Sequence, residues 1–150
     1  MATNVEKIIG QAEQRCSNHG SRLTAKRKQV LMSLLSSEKA LSAYELIDLY
    51  KSDYGESMPA TSMYRILEFL EGEELVHRLD LSKKYVSCSH ISCDNAHGVS
   101  HFMVCGKCSK VKEVNIKPST IADLHNAANE VGWNLVDRQL EMNCVCQNCQ

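Results

Sequence analysis

The sequence predicts an α+β protein of two small domains, and three observations carry that prediction. Apolar residues recur at helical spacing through the first 70 positions, then give way to two short strand-like runs around a basic turn. The second half mixes short strands with one helix. Seven of the eight cysteines lie from Cys88 onward, and four of these form two C-x-x-C pairs. Compact helices followed by a hairpin outline a winged helix-turn-helix. We therefore assign residues 1–88 to an N-terminal winged helix-turn-helix and 89–150 to a small α/β domain that binds metal, joined near 86–98.

Each element has a local reason. Val5, Ile8, Ile9 and Ala12 form the apolar stripe of a first helix. Val30, Leu31, Leu34 and Leu35 mark a second, with Thr24 as its N-cap, and Ala43, Leu46, Ile47 and Tyr50 a third, capped by Ser42. Met63, Ile66, Leu67 and Leu70 repeat the pattern in a fourth. The period then changes: residues 75–79 and 84–88 read as strands around Asp80, Leu81, Ser82 and Lys83. In the second half, strands are expected at 102–104, 111–114 and 133–142, and a helix at 119–130 between Pro118 and Gly132. Cys16 packs as a small apolar side chain, and Trp133 is expected in the core.

Composition excludes several classes. An apolar fraction of 43% is too high for a disordered chain, and no apolar run approaches the ~18–20 residues that span a bilayer. Residues 1–10 contain Glu6 and lack a continuous apolar stretch, so they do not read as a signal peptide, and a cytoplasmic location is expected. Eight cysteines in a reducing compartment point to metal or redox chemistry rather than disulfides. Cys105/Cys108 and Cys146/Cys149, with 37 residues between the pairs, each place two sulfurs on one tight knuckle. Together they supply the four thiolates of a closed, tetrahedral structural zinc site. Neither pair sits between a strand and a helix of a βαβ unit, which argues against thioredoxin-like chemistry.

Net charge says little about partners, because residues 1–84 carry 12 basic and 12 acidic side chains. Clustering is more informative. Arg22, Lys26 and Arg27 crowd one helix start, with Lys83 and Lys84 at the hairpin, where cations can neutralise phosphates of double-stranded DNA. On the fourth helix, Ser62, Tyr64, Arg65 and Glu68 lie off the apolar stripe. Arg65 can pair with guanine, and Tyr64 can pack on a thymine methyl or reach a phosphate.

These motifs together resemble the ferric uptake regulator superfamily. Its recognition-helix pattern T-V-Y-R-x-L reads here Ser62-Met63-Tyr64-Arg65-Ile66-Leu67, and its R-x-T-x-x-R helix start reads Arg22-Leu23-Thr24-Ala25-Lys26-Arg27. The resemblance covers nearly the whole chain. It implies that the second domain dimerises, that the homodimer represses transcription from a DNA operator, and that the chain is not an enzyme and has no small-molecule substrate. One departure is plain: the E-x-H-G before the last C-x-x-C reads Glu141-Met142-Asn143-Cys144, so that His has no counterpart unless Cys144 takes its place.

Within the superfamily the chain is most similar to the zinc uptake regulators. It lacks the H-H-x-H cluster of iron and peroxide sensors and has Cys88, matching the thiolate that zinc-sensing members add. A soft sulfur ligand favours zinc over iron(II) or manganese. If the hairpin turns about Ser82 and Lys83, His77 stands opposite Cys88 with Cβ atoms about 4.5–5.5 Å apart. The resemblance adds Glu113, five residues after Cys108, and a histidine, His97 in preference to His101. The expected regulatory zinc set is thus His77, Cys88, His97 and Glu113. His101 with His125 is an alternative, peripheral metal site. Zinc on ligands from both domains would favour one domain arrangement, and the regulated genes would serve zinc uptake. The rival readings are an iron- or peroxide-sensing regulator of the same family and, in another class, a zinc- or thiol-dependent enzyme using Cys88, Cys93 or Cys144.

Overall fold

The computed structural model describes residues 2–89, 91, 100–136 and 139–150; His90, Cys93 and His97 fall outside them. The chain divides into two compact units, Met1–Asn95 and Ala96–Gln150.

The first unit opens with α1 (Ala2–Asn18), which buries Ile9, Ala12 and Cys16 along one face. Burial raises the Cys16 thiol pKa, keeping it a protonated, apolar side chain as the sequence suggests. The next helix, α2 (Ala25–Leu35), starts at Thr24, whose hydroxyl accepts from the Arg27 N–H, and buries Val30, Leu31 and Leu34. A reciprocal capping box opens α3 (Ala43–Tyr54): the Glu45 N–H donates to Ser42 Oγ (3.1 Å) and the Ser42 N–H to Glu45 Oε1 (3.2 Å). That helix stops at Gly55 in the left-handed region (φ 71°). Met63, Leu67 and Leu70 are the buried stripe of α4 (Ala60–Gly72). These stripes meet in one core with Leu46, Leu75 and Val76. Each fully buried large apolar side chain contributes about 1.5–3 kcal/mol.

Strands β1 (Val76–Leu79) and β2 (Lys84–Ser87) form the antiparallel wing, and an isolated bridge between Leu41 and Tyr85 ties it to the α2–α3 link. The register differs from the expected one. His77 pairs with Val86, not Cys88. The cause is the turn: Lys83 takes a left-handed conformation (φ 56°) and donates its N–H to Leu79 O (2.8 Å), centring the hairpin between Leu81 and Ser82. The offset is two residues, so His77 and Cys88 keep the same face and become diagonal neighbours. Beyond the strand, the Cys88 N–H still donates to Leu75 O (2.9 Å), and Ile91 packs into the core.

The second unit is a three-stranded sheet in the order β4-β3-β5. Central β3 (His101–Cys105) pairs antiparallel with β4 (Val111–Val114) and parallel with β5 (Glu141–Cys144). Helix α5 (Pro118–Glu130) lies in the connection between β4 and β5 and starts with Pro118, which lacks an N–H that the first turn would leave unbonded. Among the described residues, the expected strand at 133–142 is realised only at its end, as β5. The helix closes instead with Gly132 at φ 80°: the Gly132 N–H donates to Asn129 O (3.0 Å) and the Trp133 N–H to Ala128 O (2.9 Å). This Schellman arrangement uses the residues after Gly132 to satisfy helix carbonyls. Trp133, expected in the core, is 75% exposed, and Val136 is 80% exposed.

Candidate metal and nucleic-acid sites

Cys105 ends β3, and Cys108 follows on a knuckle closed by the Ser109 N–H donating to Cys105 O (2.9 Å). Ser109 has φ 65°, a conformation uncommon outside glycine. Cys146 follows β5, and Cys149 ends a 3-10 turn, Gln147–Cys149, whose last N–H donates to Cys146 O (3.0 Å). The sulfurs of Cys105, Cys108, Cys146 and Cys149 all lie within 4.8 Å of one another, and the Cys108 and Cys146 sulfurs are 3.6 Å apart. A tetrahedral ion with bonds of about 2.3 Å to sulfur has edges of about 3.8 Å. The separation suits four ligands of one ion and is far too long for a disulfide.

The electrostatics also suit a cation. N–H groups of Cys146, Cys108 and Lys107 pull the Cys105 thiol down to about 6. The neighbouring Cys146 and Cys108 sulfurs push Cys149 up to about 12. Four thiolates at this spacing oppose one another's ionisation, and a divalent ion at their centre removes the conflict. Gly106 lets the knuckle sit against β5, because a Cβ there would come within 2.9 Å of Asn143 Oδ1.

The hairpin places a second donor pair in the first unit. His77 and Cys88 offer ligand atoms within 4.8 Å of each other, an imidazole beside a buried thiol. In the second unit, Glu113 lies on β4 and accepts a hydrogen bond at Oε1 from the buried Ser100 hydroxyl (2.6 Å). A hydroxyl in this position fixes the carboxylate's rotation, as outer partners of metal ligands do. Ser100 carries no sequence signal for that role. His101 is buried, and its Nδ1 accepts from the Leu140 N–H (3.0 Å); burial lowers its pKa. His125 lies on α5. Among the described residues, no cluster of three or more metal-type ligands includes His101 or His125.

On α4, Tyr64 and Arg65 are exposed and Ser62 is half-buried, all off the buried stripe. Arg22 and Lys26 are exposed beside the α2 start, and Lys83 is exposed in the wing turn. Lys84 is directed elsewhere, with Nζ 3.2 Å from Glu45 Oε1. Arg27 also departs from a simple phosphate contact. Its guanidinium stacks 3.7 Å from the Phe69 ring centre, and Nη1 donates to Arg22 O (2.8 Å).

The sequence matches the ferric uptake regulator family over residues 18–143. It is 31% identical over 147 residues to the zinc uptake regulation protein of Escherichia coli (strain K12), an alignment covering 98% of this chain and 84% of that one. It is 27% identical over 139 residues to the ferric uptake regulation protein of Synechococcus elongatus, covering 89% of each. Among solved structures, a zinc uptake regulator complexed with zinc and DNA superposes with a TM-score of 0.79 at 28% identity, over 97% of this chain and 94% of that one. The fold, the two C-x-x-C knuckles and these likenesses agree: the chain belongs to the ferric uptake regulator family.

Proposed function

We propose that this chain is a zinc-responsive transcriptional repressor, a cytoplasmic homodimer that binds double-stranded operator DNA and controls zinc uptake genes. The observation that carries this reading is the His77–Cys88 pair, a second soft donor set separate from the Cys105, Cys108, Cys146 and Cys149 cluster. A family member with only the four-cysteine site would hold a structural ion and have nothing with which to sense. The thiolate of Cys88 favours zinc over harder first-row ions. In this reading Glu113 and His97, carried by the second unit, complete the regulatory set.

The four-cysteine zinc braces the second unit. When bound, the regulatory zinc supplies bonds available in only one arrangement of the chain and so shifts the population toward it. Moving fully from off to on requires about 5.5 kcal/mol of differential binding. That is within reach of an ion whose ligand set is incomplete in the other arrangement. Tyr64 and Arg65 read base edges, while Arg22, Lys26 and Lys83 neutralise phosphates. Homodimer formation is supported by α5, which buries no residue within the single chain, and by exposed Leu124, Val131, Trp133 and Val136 nearby in sequence.

Metal analysis of the purified chain, paired with DNA binding across a zinc titration, tests the reading. About two zinc ions per chain, with binding that rises as the second ion loads, is the expected result. One zinc plus iron or manganese would move the chain to the iron- and peroxide-sensing regulators. A reactive low-pKa cysteine outside the ligand set in the zinc-loaded protein would favour the enzyme reading.

A further inference from the structure

We infer that Arg27 is a positioning residue that sets the roll of the recognition helix, rather than a phosphate ligand, through its stack on Phe69. The inference rests on the DNA-binding reading above. Arg27 belongs to the basic cluster at the start of α2, where charge alone suggests a phosphate contact. Its geometry differs from that of its neighbours. Arg22 and Lys26 are exposed, whereas Arg27 is half-buried, with its guanidinium carbon 3.7 Å from the Phe69 ring centre and over the ring face. A guanidinium committed to an aromatic face has exchanged part of its hydration for that contact.

The position of Phe69 gives the stack its consequence. Phe69 lies four residues after Arg65 on α4, so the two share one side of the helix a turn apart. Fixing Phe69 against α2 fixes the rotation of α4 about its axis just below the residue proposed to read guanine. The other side of Arg27 does a second job. Nη1 donates to Arg22 O (2.8 Å), fixing the backbone of a proposed phosphate contact ahead of the Thr24 cap. One side chain thereby holds a phosphate-contacting segment and a base-reading helix in a single register. Lysine would keep the charge but lose the planar stack and the forked donor.

The test uses the zinc-loaded full-length protein and a duplex selected by it from a random-sequence library, with a scrambled duplex as the non-specific control. Binding is measured from 50 to 200 mM salt for wild type, Arg27→Lys, Arg27→Gln, Phe69→Leu and Phe69→Tyr. For a positioning role, Arg27→Lys and Phe69→Leu each weaken binding to the selected duplex about tenfold and leave the scrambled duplex and the salt slope unchanged. Phe69→Tyr, which keeps the ring, retains wild-type affinity. Combining Arg27→Gln with Phe69→Leu costs no more than the larger single change. The proposal is overturned if Arg27→Lys binds like wild type while Arg27→Gln lowers the salt slope by about 0.9 and weakens both duplexes equally. If the wild-type protein selects no duplex at all, the DNA-binding reading itself fails.

Discussion

The two units reach stability by different routes. The first buries a continuous apolar core, in which Leu31, Leu34, Leu46, Met63, Leu67 and Leu70 are almost fully enclosed. In the second, among the described residues, only Phe102 and Cys105 are buried apolar side chains, joined by Ser100 and His101. A unit spanning residues 96–150 is at the size where a core alone supplies little, and a metal or a partner subunit makes up the difference. One half of the chain is held by hydrophobic burial, and the other has four cysteines spaced to share one ion and an exposed apolar face.

That contrast can be broken most severely at the four-cysteine cluster. Cys105→Ser or Cys146→Ser is expected to remove one zinc per chain and unfold the second unit. Structural zinc in small domains contributes on the order of 10 kcal/mol or more. Limited proteolysis should then digest the second unit while the first remains resistant; resistance of both would show that the chelate is dispensable. Next in size is Trp133→Asp, which should weaken self-association by about 2–4 kcal/mol and shift sedimentation toward monomer. Unchanged sedimentation would leave the exposed Trp133 without a role.

Cys88→Ser separates sensing from folding. Zinc content should drop from about two ions to about one while thermal stability stays close to wild type, and operator binding should lose its zinc dependence. Retained zinc dependence would remove Cys88 from the regulatory set. Arg65→Ala should cost about 1–3 kcal/mol on the preferred duplex and relax discrimination at one base pair. An equal loss on all duplexes would make it a phosphate contact. The smallest effect is expected for Ser42→Ala, which removes one half of a capping box and should cost about 1 kcal/mol in a thermal melt. A graded loss there beside an all-or-none loss at Cys105 is the signature of the two routes.

The helices were legible because each carries its own 3.6-residue stripe, and the four-cysteine cluster because the spacing within each C-x-x-C pair is local. What escaped depended on partners distant in sequence or on backbone geometry. Trp133 reads as core from its type alone, since apolar character does not distinguish an interior from an exposed face. The wing register turned on Lys83 adopting a left-handed conformation, which no glycine or asparagine announces at that position. Arg27 reads as charge until Phe69, on another helix, takes its guanidinium. Glu113 came from the family pattern, whereas the Ser100 hydroxyl that orients it lies on a different segment.

The parallel pairing of β3 with β5 has a kinetic consequence. The two knuckles follow directly from these strands, so sheet and four-cysteine cluster close the same long excursion through β4 and α5. The entropy of that closure is lost once and rewarded twice. Metal capture and completion of the sheet are therefore expected to form a single cooperative event. With this non-local pairing, the second unit should fold more slowly than the helical first unit, at a rate that rises with available zinc.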